Sequence, residues 1–382
     1  MRSFNAALDD KLYDLAHDEA GAQRVAEMGF NWVHLVCSAG YPPEIEEVDW
    51  VAFARAVRVY HQAGLQVSGI IQATNCVFAG SYKTKDWYAQ DPQGNPIIFM
   101  PGRYVTSIIH PEWQAEVQAR IQTVLEAEAD GVTLAYPWYG GAGLLWRGTL
   151  LGQVGCYHPL SQEQYAEAAD GAAIPPLLDL RDLDSLAYLH WRAAQLRATL
   201  ATWAATAHAQ APACHVSILQ SAPAAQHLGL ALGLDLTQPI RGIAGVIFET
   251  RTLPDLRQNG TLASNAPLLG QVKAHPQTTP ATLLGHEQGT GFDRVHPARA
   301  FARQVSEASA LHVPLAVQGA DYLYHRQFTS LLHARYKAQQ HTLGRLNAWG
   351  KRTLNGWRVV SPPVHSQFTC RQTSPGTAGK KH

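Results

Sequence analysis

From Asp86 to Pro137 the chain reads DWYAQDPQGNPIIFMPGRYVTSIIHPEWQAEVQARIQTVLEAEADGVTLAYP. Within it, Asp91-Pro92-Gln93-Gly94-Asn95-Pro96 is a turn and an apolar loop follows. His110-Pro111-Glu112-Trp113 then opens an amphipathic helix over Glu112 to Glu128, and Asp130-Gly131 introduces the short apolar strand Val132 to Ala135. A helix that delivers the chain into a short, nearly continuous apolar strand is half of a βαβ unit, and such strands belong in a parallel sheet covered by helices. This stretch therefore restricts the fold to the α/β class.

The same alternation runs on both sides of it. A helix over Glu19 to Met28 stops at Gly29 and precedes a first strand, Trp32 to Cys37. The helix Trp50 to Gly64 leads to a second, Val67 to Ile71. A third strand is expected near Ile97 to Phe99 or Val105 to Ile109, and Val132 to Ala135 is the fourth. A helix from about Leu186 to Gln210 precedes the fifth, His215 to Leu219. Gly245 to Phe248 is the sixth, Leu268 to Val272 the seventh, and Pro314 to Val317, after a helix Pro297 to Leu311, the eighth. Eight such strands favour a closed (β/α)8 barrel over an open doubly wound sheet, and no GxGxxG or phosphate loop argues for the open form. A helix Tyr324 to Gly350 would be the last of the barrel. The expected organisation is one barrel domain over residues 1–360 with elaborated βα loops. Residues 361–382, rich in Pro, Ser, Thr, Gly and Lys, form a loose tail.

Composition narrows the ligand class. Lys+Arg and Asp+Glu are equal at 30 each, so there is no basic field to hold a nucleic acid backbone. Five cysteines, Cys37, Cys76, Cys156, Cys214 and Cys370, form no CxxC pair, which argues against a disulfide framework or a zinc clip. No stretch approaches the ~20 apolar residues of a membrane span, and no basic start with an apolar run marks a signal peptide. The expectation is a cytoplasmic protein without metal or cofactor, and a small-molecule or oligosaccharide ligand.

In a parallel barrel the chemistry lies on the loops after the strands' C-terminal ends. That rule selects Gln72, Thr74 and Asn75 after strand two, and Tyr136, Trp138 and Tyr139 after strand four. Gln220 follows strand five, Glu249 and Arg251 strand six, Lys273 and His275 strand seven, and Gln318 and Asp321 strand eight. Such a lining is polar and aromatic with few charges. Sugar rings stack on Trp and Tyr, and amides, Lys, His and Arg meet their hydroxyls. For Trp138 the alternative is simple packing on the barrel mouth. Glycoside hydrolysis needs two carboxylates, and only Glu249 and Asp321 sit just beyond strand ends. Glu249 is either the reacting acid or half of a rim ion pair with Arg251; Asp321 is either its partner or a helix cap. Metal hydrolysis would want paired histidines at a strand end, whereas His34 stands alone mid-strand. Serine chemistry would want a GxSxG elbow, and Ser217 lies mid-strand.

Several segments resemble a known group. These are Gly29-Phe30-Asn31-Trp32-Val33-His34-Leu35, Gly64-Leu65-Gln66-Val67, Asp91 to Pro96, His110 to Trp113, Asp130-Gly131-Val132, and Gly155-Cys156-Tyr157-His158-Pro159 with Tyr165 and Ile174-Pro175. Their order over roughly residues 15 to 250 is similar to glycosyl hydrolase barrels related to α-L-fucosidases and β-galactosidase-type enzymes, including the family labelled hypothetical glycosyl hydrolase 6. The resemblance implies a (β/α)8 glycosidase. It also implies a carboxylate at the end of strand four, where this chain has Ala135 and Tyr136, and a second cysteine where it has His158. The chain is thus expected to be a hydrolase of a neutral glycan or glycoside, with Glu249 and Asp321 as its acids. The alternative is a catalytically silent barrel that binds a glycan or serves as a scaffold. A third reading makes Tyr136 a nucleophile.

Overall fold

The computed structural model describes residues 18–27, 31–146, 149–221, 230, 233–235, 238–250, 279–284 and 315–317. In chain order, α1 is Glu19–Glu27, β1 Trp32–Ser38, α2 Pro43–Gln62, β2 Gln66–Gln72 and β3 Asn75–Val77. After these come β4 Ile98–Met100, β5 Arg103–Val105, α3 Pro111–Glu126, β6 Gly131–Ala135, β7 Gly141–Trp146 and β8 Thr149–Gly155. The last are α4 Pro159–Ala168, α5 Leu183–Gln210, β9 His215–Ser221, β10 Gly245–Thr250, β11 Thr279–Leu284 and β12 Leu315–Val317.

The helices begin where local chemistry directs. Proline at the first position opens α2, α3 and α4, where its missing N–H costs nothing. Glu44 and Glu46 sit in the first turn of α2, favourably placed for the helix dipole. Asp182 caps α5 by accepting from the Ser185 amide at 2.9 Å. Phe53, Ala56, Val57 and Tyr60 form the buried stripe of α2 at helical spacing. Among the described residues no helix is long and apolar enough to cross a membrane.

Seven strands form one parallel sheet in the order β1-β2-β6-β9-β10-β11-β12. One face carries Val33, Leu35, Val67, Ile71, Val132, Leu134, Val216, Ile218 and Val246 into the main core, together with Phe53, Trp113, Val124 and Trp203 of the helices. Gly69 lets α3 approach β2, since a Cβ there would lie 2.6 Å from a Val124 methyl. The other face holds a smaller cluster of Trp32, Ala135, Leu219 and Ile247, with Ile70 and Tyr136 packed on it.

One expectation is corrected. No third parallel strand lies between the second and the fourth: β6 pairs directly with β2, from Ser68↔Gly131 to Gln72↔Ala135. The segments proposed for it are spent elsewhere. Ile98–Met100 and Arg103–Val105 pair antiparallel with each other, and β5 pairs with β3, while Ile108 and Ile109 are buried in the loop before α3. A short apolar run looks the same in a side sheet and in a parallel one, so pattern alone did not separate them. Beside β10 runs β11, Thr279–Leu284; Leu268–Val272, expected as the seventh strand, lies outside the described residues. Among the described residues no pairing joins β12 to β1, so what the structure shows is an α/β fold built on a seven-stranded parallel sheet.

Candidate functional site

All seven strands run the same way, so Ser38, Gln72, Ala135, Ser221 and Thr250 end them on one side. The loop after β6 is tied to the loop after β2. Thr74 Oγ1 donates to the Tyr136 carbonyl at 2.7 Å and accepts from the Trp138 amide at 2.9 Å. The Tyr136 amide donates to the Leu219 carbonyl of β9 at 2.7 Å. Between these bonds Tyr136 has φ +50°, a left-handed conformation that costs a non-glycine residue about 1–2 kcal/mol.

Trp138 is half-buried at this end. Its indole N–H donates to Gln220 Oε1 at 2.8 Å. Its ring lies 5.2 Å from Phe99, of β4, and 6.2 Å from Tyr136. The indole is thus held by one edge and two neighbouring rings. If the ligand rests on it, Trp138→Ala should weaken glycan binding by a few-fold to about a hundredfold, the loss of a major aromatic contact; titration calorimetry of a folded variant is the check.

Other residues chosen from the sequence lie inward. Gln72 and Asn75 are buried; Asn75 Nδ2 donates to Gln72 Oε1 at 3.0 Å and Arg103 Nη1 donates to Asn75 Oδ1 at 2.7 Å. Gln220 is buried beneath Trp138. Gln72 and Asn75 thus bond to each other, and Gln220 bonds to Trp138, so the polar groups of these buried amides are used within the protein. Tyr139 is fully covered: its hydroxyl donates to Ser161 Oγ at 3.1 Å, Trp191 packs edge-on at 5.9 Å, and burial pushes its phenol well above the usual range. Its position offers packing in place of a stacking face. The backbone of Glu249 pairs with Ser221 and with Leu283, which places it at the same end as Gln220. Its side chain, and Arg251, Lys273, His275, Gln318 and Asp321, lie outside the described residues.

Sequence reasoning missed two clusters. Glu46, one turn into α2, is buried, and accepts from Ser38 Oγ at 2.7 Å and from the Tyr41 amide at 2.9 Å. It also pairs with the buried Arg120 of α3. A glutamate in a helix's first turn gives no sign of such a partner. The second cluster holds the residues best able to bind a metal: Asp86, His110 and His158 bring one ligand atom each within 4.8 Å of one another. In the structure His158 is otherwise engaged. Its Nδ1 accepts from the Leu160 amide at 3.2 Å, so the proton sits on Nε2, which donates to the Asp86 carbonyl at 2.9 Å. Burial lowers its pKa, in keeping with a neutral ring. His110 Nε2 lies 3.4 Å from Asp86 Oδ1. The three residues join the segment between β3 and β4 to the starts of α3 and α4. A metal would have to displace the cap of α4.

No family model matches the chain, and no curated protein matches its sequence. Solved structures are similar in fold. The catalytic domain of a β-amylase from Paenibacillus polymyxa has a TM-score of 0.56 at 12% identity, over 82% of this chain and 90% of that one. A β-galactosidase from the psychrophilic Marinomonas ef1 has a TM-score of 0.58 at 10% identity, over 88% of this chain and 59% of that one. The class is therefore an α/β protein built on a parallel sheet, similar in fold to a β-amylase catalytic domain and a β-galactosidase. The chain spans little more than half of the β-galactosidase.

Proposed function

We propose that the chain is a carbohydrate-active (β/α)8 barrel, of the α-L-fucosidase-like and β-galactosidase-like group that its motifs resemble, which binds a neutral glycan or glycoside at the C-terminal ends of its strands and cleaves it there. The observation that carries the reading is the pinned Trp138 indole, half-buried and bonded to the buried Gln220 amide, because an aromatic face beside an amide matches an uncharged sugar. The fold shared with a β-amylase and a β-galactosidase supports the same ligand class. Glu249, the last residue but one of β10, pairs with Ser221 and is the acid assigned to the reaction, with Asp321 as its partner. Arg251, Lys273, His275 and Gln318 are assigned to the sugar hydroxyls. A carboxyl separation of ~5–5.5 Å would give retention of configuration, and ~6.5–9.5 Å inversion.

The test is turnover of a panel of chromogenic glycosides. Glu249→Gln should abolish the turnover that the unaltered protein shows and leave folding intact. Activity that survives the substitution would remove Glu249 from the mechanism.

One observation favours a second reading, a barrel that binds without cleaving. The strand β6 ends in Ala135 and Tyr136 with no carboxylate. No turnover on the panel, together with measurable glycan binding, would select it.

A further inference from the structure

Strand geometry makes Tyr136 anomalous. Along β6 alternate residues face opposite sides: Val132 and Leu134 enter the helix-covered core, while Ala135 joins the small cluster of Trp32, Leu219 and Ile247 on the other face. Continued alternation would send residue 136 back toward the helices. Tyr136 instead packs on that same small cluster, half-buried, with its ring 6.2 Å from Trp138. Its φ of +50° accounts for the reversal, because a left-handed residue at a strand's end redirects the side chain.

The backbone is clamped to keep it so. The amide is bonded to Leu219 of β9 and the carbonyl to Thr74 after β2, so both neighbouring strands of the sheet hold this one residue. Glycine or asparagine would meet the same backbone demand with less strain. A bulky residue kept in an unfavourable conformation by bonds on both sides is found where its side chain has a task. Tyr136 and Trp138, 66° apart in ring plane, form two walls of an aromatic corner at the strand ends.

We propose that Tyr136 is a ligand-contacting residue of the glycan site, and that its left-handed backbone is the device that turns the phenol ring to the face of the sheet opposite the helices, beside Trp138. The ligand class is an uncharged sugar ring seated in the corner between Tyr136 and Trp138. This rests on the glycan reading above and adds that stability is given up at one residue to place one ring.

The experiment compares three variants, Tyr136→Gly, Tyr136→Ala and Tyr136→Phe, for urea stability and for calorimetric binding of maltohexaose, lactose and cellobiose. Glycine ordinarily destabilises a protein relative to alanine; here Tyr136→Gly should be the more stable of the two, since only alanine retains the strain. Both should weaken the bound sugar by about tenfold or more, and Tyr136→Phe by about threefold at most, because the ring face is kept. An alanine variant as stable as the glycine one would overturn the strained-device part. Wild-type affinity in both the glycine and alanine variants would overturn the placement of the sugar while leaving the glycan reading standing. A wild-type protein that binds none of the three sugars would overturn both.

Discussion

Arg120→Met should lower stability by about 3–5 kcal/mol, the cost of leaving a buried charge without its counter-ion. Arg120 and Glu46 are each about 1% exposed, on facing helices. Burial alone would favour the neutral guanidine, but the Glu46 carboxylate, Tyr82 and Glu116 outweigh it and hold Arg120 charged. Its guanidinium also donates to the Tyr41 carbonyl at 2.7 Å and to Glu116 at 3.0 Å, and contacts the Tyr82 hydroxyl. Removing the cation leaves Glu46 with the Ser38 and Tyr41 donors only. Urea unfolding followed by fluorescence would measure the shift in midpoint, with an unchanged slope marking a change in stability alone. Glu46→Gln in the same chain as Arg120→Met should recover part of the loss, because the stranded charge is then gone. A midpoint within ~0.5 kcal/mol of the wild type would show that the pair contributes no more than an exposed ion pair.

Acid should unfold the protein before most carboxylates titrate. His34 of β1 and His215 of β9 flank Trp32 on the inner face of the sheet, at centroid distances of 6.4 and 5.3 Å. His34 Nδ1 is hydrogen bonded to Thr133 Oγ1 at 2.9 Å, and Thr133 to Ser217 at 3.0 Å. Burial, reinforced by His215, lowers His34 from 6.5 to about 3. Burial, with a smaller effect of His208 in the same direction and an opposing backbone hydrogen bond, lowers His215 to about 4. Both bind protons less readily folded than unfolded. Their stabilising contribution is therefore complete above pH 6.5 and is lost as the pH falls toward 4 and then 3. Together they should remove on the order of 5 kcal/mol between pH 7 and pH 4, which approaches the whole stability of a typical domain. Urea midpoints at pH 7, 5.5 and 4 would trace it, and His34→Gln should flatten the profile. A midpoint that is flat over this range, or a profile untouched by the substitution, would refute the assignment.

Much of the fold was legible because its signals are local. Trp32 to Cys37, Val67 to Ile71, His215 to Leu219 and Gly245 to Phe248 were readable as strands, and each lies inside its observed element. Gly64 marked the end of α2 and Pro111 the start of α3, whereas α2 begins at Pro43, seven residues before the Trp50 expected. The parallel strand expected between β2 and β6 failed because pairing partners are a property of space. Nothing within Ile98 to Val105 says whether its neighbour is the sheet or its own hairpin.

The candidate site divides in the same way. The sequence by itself determined an α/β chain with short apolar strands, a Trp-Tyr loop after Ala135, and neutral amides at the strand ends, since periodicity and side-chain type are carried by each residue. Only the tertiary structure decided how those groups are used. It buried Gln72 and Asn75 as a hydrogen-bonded pair and Gln220 against the Trp138 indole, and enclosed Tyr139 beside Trp191. It paired Glu46 with Arg120, 74 residues away, and set Tyr136 on the face that carries Trp32 and Leu219, with its backbone bonded to Thr74 and Leu219. A polar side chain states that it needs a partner; which partner it finds, and whether water can reach it, depends on segments that only folding brings together.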